Sequence, residues 1–575
     1  MTFLSASASG KVVISASRSL SPADMPVINF SFKDLQQLVG GGLDFETVVE
    51  RLPMMGADVH SAEPGNDEMA FEFFPDRPDL YSVEGIARGL RAFLGIAPGM
   101  RRYEVGTSPV VLNVDPAVDA VRPFVWSALI TGVEMNDYMI RSVMDLQEKL
   151  HLTVGRNRRK VAIGIHDFDT VTPPFLYTAV EPEKISFMPL QGSREMNLRE
   201  ILEEHDKGKA FAFVLEGKEK YPLILDSQQV VLSFPPIING ITTAVTEGTK
   251  SIFVDCTGTD LNALKASVNI LTTSFAERGA EIKTVEIRRG DGLSLAPDLK
   301  PWPMIVKTDE VKRLTGITES ADEVCRYLAR MGYDAKASGS ELNVSVPAYR
   351  YDILHPADII EDIAKGYGYE RFGERLPERA TLGVPIPEND FGNIVRSALA
   401  GLGYMEVTTL TLTGREDQFA RMRREEPVEV VEVLNPRTEE RIILRQALLP
   451  EMMAILRKNK HRDLPQRIFE VGDVVVGAEN TGRIAGASIH AKASFTEMKS
   501  TVEALMRTLG MRLRISKKED PSFIEGRCAA IIVEEEEVGE FGEVDPEVVT
   551  AFELGYPVAA FEIMLGPMMR RPGMF

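Results

Sequence analysis

Apolar residues recur at helical spacing in several stretches of this chain and alternate with polar residues in others. The stripe within residues 83–94 predicts a helix that ends at Gly95. A second helix is predicted from Pro356, because its missing N–H would be unpaired in the first helical turn anyway. Residues 124–132 alternate and residues 161–165 are continuously apolar, so both segments predict strands.

The stretch 346–372, VPAYRYDILHPADIIEDIAKGYGYERF, has a partial twin earlier in the chain. Two units of one sequence are expected to share a fold. We therefore predict two small α+β units of a DNA-binding-like kind, at residues 25–105 and 304–375. The aligned motifs are DLQQLVG at 34–40 with EVKRLTG at 310–316, MGAD at 55–58 with MGYD at 331–334, RPDL at 77–80 with RYDI at 350–353, and VEGIA at 83–87 with IEDIA at 360–364.

The remaining chain divides by composition into a multidomain α+β protein. Residues 106–290 are strand-rich and predict a mixed α/β domain, whereas residues 391–575 mix helices with antiparallel-looking strands. Proline- and glycine-containing stretches at 291–303 and 376–390 predict linkers. Residues 1–24 are rich in Ser and Ala, and we expect a disordered extension there or a start site assigned too early.

Composition narrows the class of protein. The chain has 575 residues, 44% hydrophobic and 26% charged, and it has no run of eighteen apolar residues, so we expect no transmembrane helix. Its three cysteines form no CxxC pair, which suits a reducing cytosol and a cytoplasmic location. The formal net charge of −20 means that any RNA contact must come from local basic patches. The densest basic run is GRNRRK at 155–160, and a second cluster lies at 457–462.

Acidic side chains gather around the helix predicted from Pro356. We expect three of them on the side opposite the apolar stripe, and a fourth in the loop that precedes the helix. A solvated acidic face or an oxygen-only site for a hard cation such as Mg²⁺ would both explain them. The first copy of the repeat has Tyr81 and Gly85 in place of two of these acids, which favours the metal site. The four candidate ligands are Asp352, Asp358, Glu361 and Asp362.

A second group of polar residues lies in the strand-rich region. The Pro235-Pro236 pair rules out a regular helix and presents Ser233 and Asn239 on a stiff turn. Asp255 and Thr257 come at the end of a predicted strand. Ordinary turn chemistry and a small polar pocket are both consistent with this pattern. His166, expected in a loop, is the nearest candidate base, and the sequence shows no Ser/His/Asp or Cys/His constellation here.

Together, several stretches resemble the beta subunit of phenylalanyl-tRNA synthetase, in its shorter archaeal and eukaryotic-cytosolic form. The resemblance covers residues 25 to about 563. The stretches are VPAYRYDILHPADIIEDIAKGYGYERF, FEFFPDRPDLYSVEGIARGL, VLSFPPIINGITT with FVDCTGTD, and RIFEVGDVV with GEFGEVDPEVVTAFEL.

This resemblance implies a heterotetramer of two alpha and two beta subunits that attaches phenylalanine to tRNA(Phe) with ATP. The alpha subunit would carry that chemistry, and the four acids would bind Mg²⁺ shared with it. Residues 391–575 would form a class II synthetase-like antiparallel sheet domain without catalytic motifs, since no ATP-binding GxGxxR occurs there. The resemblance also implies that the chain has no membrane partner.

Residues 106–290 would form the family's tRNA-editing domain, which hydrolyses mischarged tyrosyl-tRNA(Phe). An apolar phenylalanine pocket rejects an added hydroxyl only about a hundredfold. A second site that hydrolyses the tyrosyl product therefore has a physical purpose. The candidate editing residues, acting through a positioned water, are Ser233, Asn239, Asp255 and Thr257. A stand-alone RNA-binding or trans-editing protein and a purely structural scaffold remain as alternatives.

Overall fold

The structure is a computed structural model that describes residues 3–6, 12–15, 26–40, 42–374, 376, 381–427, 429–436 and 438–569. Two compact units make up the chain. One is Leu20–Arg375, and the other combines Met1–Ser19 with Leu376–Phe575. Strands β1 (Phe3–Ala6) and β2 (Val12–Ser15) fall inside the segment predicted as an extension and belong to the second unit. The rest of residues 1–25 lies outside the described residues.

The first repeat unit opens the larger compact unit. Its sheet has the strand order β3-β5-β4, with antiparallel pairs. The Ser82 hydroxyl caps the last helix by accepting the Gly85 N–H, which explains why that helix begins there. The elements are β3 (Val27–Ser31), α1 (Phe32–Val39), α2 (Phe45–Met54), β4 (Ala57–Ala62), β5 (Glu68–Phe73) and α3 (Val83–Phe93).

The strand-rich region contains two main sheets with the orders β15-β14-β13-β10-β7-β18-β19 and β6-β17-β8-β16-β9. Strand β19 lies within the stretch predicted as a linker. The elements of the strand-rich region are β6 (Val105–Gly106), β7 (Val111–Val114), β8 (Phe124–Thr131), α4 (Asp137–Leu152), β9 (Val161–Asp167), β10 (Phe175–Val180), β11 (Ser186–Phe187), β12 (Met196–Asn197), α5 (Leu198–Glu204), α6 (Asp206–Phe211), β13 (Tyr221–Leu225), β14 (Val231–Phe234), β15 (Ile238–Asn239), β16 (Ser251–Gly258), α7 (Leu261–Glu277), β17 (Glu281–Lys283), β18 (Val285–Arg289) and β19 (Gly292–Ala296).

The second repeat unit has the same order of elements as the first, and its strand order β20-β22-β21 is equivalent. One hydrophobic core runs through both repeat units and the strand-rich region, from Ile28 to Ile363. The elements are β20 (Trp302–Lys307), α8 (Thr308–Thr315), α9 (Ala321–Arg330), β21 (Asp334–Ser338), β22 (Glu341–Val346) and α10 (Pro356–Tyr367).

The C-terminal region is built on a seven-stranded sheet, β23-β27-β28-β32-β31-β30-β29, in which β23 and β27 alone are parallel. Within the described part of the chain, no helix is long and apolar enough to cross a membrane. The elements are α11 (Pro387–Gly401), β23 (Met405–Glu406), β24 (Leu412–Thr413), β25 (Glu432–Val433), β26 (Ile443–Leu444), α12 (Leu449–Lys458), β27 (Gln466–Val476), β28 (Glu479–Ile489), α13 (Phe495–Thr508), β29 (Leu513–Lys517), β30 (Phe523–Val533), β31 (Glu536–Val544), α14 (Pro546–Ala551), β32 (Val558–Met564) and α15 (Leu565–Met569).

Candidate functional sites

A pocket of about 420 Å³ opens in the strand-rich region. Helix α4 and strand β9 contribute one part of its wall, and the turn after β14 contributes another. Three of the four predicted editing residues line it: Ser233, Asn239 and Asp255. Thr257 does not, although it lies two residues beyond Asp255 on β16, because it takes part in a different contact described below.

A chain of hydrogen bonds runs along the pocket wall and centres on the Asp255 carboxylate. Ser233 Oγ donates to Asp255 Oδ2 over 2.9 Å, and His166 Nε2 lies 2.7 Å from the same oxygen. The other ring nitrogen, His166 Nδ1, lies 2.8 Å from the Thr243 hydroxyl. All four side chains are buried, so the network holds the carboxylate in one orientation.

The geometry differs from that of a Ser-His-Asp triad. In a triad the histidine lies between the serine and the carboxylate and accepts the serine proton. Here the carboxylate lies between Ser233 and His166, so the serine hydroxyl contacts the carboxylate and not the histidine. His166 itself lies on strand β9 rather than in the predicted loop, and both of its nitrogens are engaged. The histidine therefore positions Asp255.

Strand β9 approaches Asp255 closely at Gly164. A Cβ atom at this position would lie 2.4 Å from Asp255 Oδ2 and 2.6 Å from His166 Nε2. Both distances are shorter than any real contact of a Cβ atom allows. A side chain at position 164 would therefore have to displace the Asp255 carboxylate or the His166 ring.

Thr257 contacts the buried guanidinium of Arg122 instead of the pocket. Arg122 Nε donates to the Thr257 hydroxyl over 3.0 Å, and Nη2 donates to the Thr257 carbonyl over 2.7 Å. Nη1 donates to the carbonyls of Arg158 and Arg159, 3.2 and 3.3 Å away. Burial lowers the pKa of Arg122 to about 10, which still leaves it charged at neutral pH. Thr257 thus stabilises the basic run at 155–160 indirectly, through Arg122.

Four further titratable residues line the pocket and were not predicted there from the sequence: Glu148, His151, Arg158 and Lys207. Glu148 and His151 lie one turn apart on α4, and Arg158 follows in the basic run. Burial opposes ionisation of Glu148, but His151, Arg158 and Lys207 outweigh it and lower its pKa to about 2. Burial lowers the pKa of His151 to about 4, so this ring is neutral. The polar i, i+3 pair on an otherwise apolar helix face was the available signal.

The sequence predicts that the acidic side of helix α10 is exposed to solvent, but part of that side is buried. Asp362 is 2% exposed, and its Oδ2 accepts hydrogen bonds from Arg350 over 2.7 Å and from Tyr333 over 2.6 Å. Burial opposes its ionisation, but the charges of Arg350, Arg77 and Lys365 lower the pKa of Asp362 nonetheless. The expectation that Asp362 faces solvent is wrong, because Arg350 and Tyr333 of the same chain cover that side of the helix.

The other three predicted ligands also have protein partners. Asp352 accepts two hydrogen bonds from Arg350, at 2.8 and 2.6 Å, and burial raises its pKa. Asp358 accepts the N–H groups that precede its helix, and the exposed Glu361 pairs with Lys365 at 2.9 Å. Among the described residues, no three His, Cys, Asp or Glu side chains come together to hold a metal ion. This chain's residues, as arranged, do not fit a Mg²⁺ site by themselves.

The repeat explains part of this arrangement. Arg77 and Asp79 of the first copy form the same two-point ion pair, at 2.8 and 2.9 Å, as Arg350 and Asp352 of the second. The aligned motifs RPDL and RYDI therefore encode one structural feature twice. The pairing of Asp352 with Arg350 therefore belongs to the repeated fold.

Comparison with known proteins places these features in a class, that of the tRNA synthetases. A "tRNA synthetase B5 domain" model matches residues 304–369 and a "B3/4 domain" model matches residues 133–287. A model described as "Phenylalanyl tRNA synthetase beta chain CLM domain" matches residues 373–565.

Individual relatives make the family specific. The chain is 46% identical over 94% of its length to the phenylalanine–tRNA ligase beta subunit of Archaeoglobus fulgidus, and the match covers 98% of that protein. The Methanosarcina barkeri beta subunit is 45% identical over 95% of this chain and 99% of its own length. A crystal structure of an N-terminal fragment of the Pyrococcus horikoshii phenylalanyl-tRNA synthetase beta subunit is 36% identical, with a TM-score of 0.57. It covers 60% of this chain and 99% of the fragment.

The chain belongs to the phenylalanine–tRNA ligase beta subunit family. The resemblance noted in its sequence is thereby confirmed. It is a component of an aminoacyl-tRNA synthetase, a ligase of protein biosynthesis.

Proposed function

We propose that this chain assembles with an alpha subunit, as an α2β2 heterotetramer, into a ligase that attaches phenylalanine to tRNA(Phe) at the expense of ATP. Residues 391–575 would serve as a class II-like domain that packs against the partner, since they contain no GxGxxR motif for ATP. The match over nearly the whole length of its relatives favours this role over a stand-alone protein.

Purification of the chain with and without its partner tests this proposal. Alone, the chain should give no ATP–pyrophosphate exchange with phenylalanine, because the ATP motif is missing. Co-expressed with the alpha subunit, it should elute at the mass of a heterotetramer and charge tRNA(Phe). Exchange by the isolated chain would contradict the assignment of catalysis to the partner.

We further propose that residues 106–290 hydrolyse tyrosyl-tRNA(Phe), and the observation that carries this is the pocket beside Asp255. Ser233 and His166 both occupy Asp255 Oδ2, which leaves Oδ1 as the acceptor for a water in the pocket. That water would add to the ester carbonyl, and the bond to the terminal ribose oxygen would break. Tyrosine and a free 3′ end would result, with one water proton on the ribose oxygen and the other released.

The Mg²⁺ assignment stays a prediction that depends on the partner. Asp352 and Asp362 are committed to Arg350, so Asp358 and Glu361 are the carboxylates left to face a second chain. The chain alone should therefore show no stoichiometric heat when Mg²⁺ is titrated into it. A one-to-one binding isotherm that Glu361→Gln abolishes would show that the site is complete without the partner.

A further inference from the structure

Two basic segments adjoin the pocket, because Arg158 of one and Lys207 of the other are part of its lining. The run at 155–160 and the segment 205–213, HDKGKAFAF, together contain six Lys and Arg residues and one acid, while the whole chain has a net charge of −20. The two segments touch, because the Arg158 guanidinium lies 4.1 Å from the centre of the Phe211 ring and that of Arg159 lies 5.0 Å from Phe213. We call these two segments the basic rim.

The backbone of the basic rim is held in an unusual conformation. Arg156, Asn157 and Arg158 have φ angles of 47°, 55° and 65°, a left-handed region that residues other than glycine seldom adopt three times in succession. Hydrogen bonds from Arg122 to the carbonyls of Arg158 and Arg159 hold this turn. Such strain persists only where the surrounding structure enforces it, and it clusters at functional sites.

Some side chains of the basic rim are bonded within the protein, and others are exposed and free to bind a ligand. Arg158 is buried and bonds Glu148 and two carbonyls of the turn that follows β14. Arg156 and Lys209 are exposed and have no ion-pair partner among the described residues, and Arg159 is exposed above Phe213. The rim therefore presents free cations next to a stacked guanidinium and aromatic ring.

We propose that the basic rim binds the single-stranded 3′ end of a tRNA and guides its terminal aminoacyl ester into the pocket. Single-stranded RNA is bound by cations along its phosphates and by bases stacked on aromatic rings or guanidinium planes, and the rim offers both. Arg156 and Lys209 contact phosphates, and a base stacks on the Arg159–Phe213 pair. The inference rests on the proposed editing function, since it names the RNA part of that substrate.

The test uses the full chain and a fluorescent single-stranded RNA that ends in CCA. Binding is followed by anisotropy between about 50 and about 200 mM salt, because each phosphate contact on a single strand adds about 0.7 to the salt slope. Arg156→Gln with Lys209→Gln should reduce that slope by about 1.4 and weaken binding about tenfold at low salt. Phe213→Leu should weaken binding about tenfold and leave the slope unchanged.

A matched control removes two exposed arginines of the same region that lie outside the rim and already have acidic partners. Arg141→Gln with Arg288→Gln changes net charge equally, and these residues pair with Asp137 and Glu286. The control should bind RNA like the wild type. Equal weakening in the control, or wild-type affinity and slope in the rim variant, would overturn the proposal.

Deacylation of tyrosyl-tRNA distinguishes a failure of this inference from a failure of the proposed editing function. The rim variant should raise KM about tenfold with kcat retained, because it loses RNA contacts and keeps the pocket. If the chain deacylates and the rim variant has the wild-type KM, the rim inference is wrong and the editing function stands. If the chain binds RNA through the rim and does not deacylate, the editing function is wrong and the rim stands.

Discussion

Asp255 shows how the pocket depends on single residues. Its carboxylate is buried, and it keeps its orientation because Ser233 and His166 donate to one oxygen. Removing either donor would leave that oxygen with one hydrogen bond in place of two, at a cost of about 1–3 kcal/mol. The strand opposite it must be free of a side chain at Gly164 for this pairing to form.

We expect Gly164→Ala to slow deacylation of tyrosyl-tRNA more than tenfold, because its Cβ displaces Asp255 or His166. The stability cost should be about 1–3 kcal/mol, as for other overpacked cores. Gly106→Ala is the control, since its Cβ would meet neighbours at an ordinary 3.6 Å. Single-turnover deacylation measures the effect, and a wild-type rate in Gly164→Ala would show that the pairing has no role.

Residue identity in the pocket was partly predictable from sequence. Ser233, Asn239 and Asp255 stood out because they were expected beside a proline turn or at a strand end, and the structure places all three on the pocket wall. Asp255 lies inside β16, which continues to Gly258, and not at its end. The pairing of His166 with Asp255 could not be predicted, because it joins strands β9 and β16 across 89 positions of sequence. Thr257 has the same strand-end signal and points to Arg122 instead.

At the scale of elements, helix α10 is fixed by the Arg350 guanidinium. This side chain is 3% exposed and bonds both Asp352 and Asp362, so it joins the loop before the helix to the helix itself. The sequence correctly predicts the helix from Pro356 and its apolar stripe. It cannot show which polar side is later covered, because that depends on Arg350 and Tyr333, which the fold of the same repeat unit brings to Asp362.

Arg350→Ala should destabilise the unit that contains both repeats by about 3–5 kcal/mol, since two buried carboxylates would lose their partner. Glu361→Gln is the control, because Glu361 is exposed and the buried Lys365 keeps Asp362 as a second acidic neighbour at 3.9 Å, so the loss should be about 0–1 kcal/mol. Urea unfolding of both variants measures the difference. Equal midpoints for Arg350→Ala and wild type would mean that the guanidinium does not hold the helix.

At the scale of the whole molecule, the chain repeats one α+β unit and uses the copies to flank the strand-rich region. The repeat follows from the aligned motifs, whereas the hydrophobic core that joins it to the pocket region is seen only in the structure. The pocket itself lies where two sheets and a helix meet, and such long-range packing has no local signal in sequence. The family assignment supplies the partner chain and the tRNA to which these features belong.

The most direct test of the account is the product made by the assembled enzyme supplied with tyrosine, ATP and tRNA(Phe). Asp255→Asn should let tyrosyl-tRNA accumulate while phenylalanylation proceeds at the wild-type rate, because the pocket and the partner's aminoacylation site are separate. Asp226→Asn changes another buried carboxylate outside the pocket lining and should leave tyrosyl-tRNA scarce, as in the wild type. If Asp255→Asn accumulates no more tyrosyl-tRNA than the wild type, the pocket is not the editing site and the central claim is wrong.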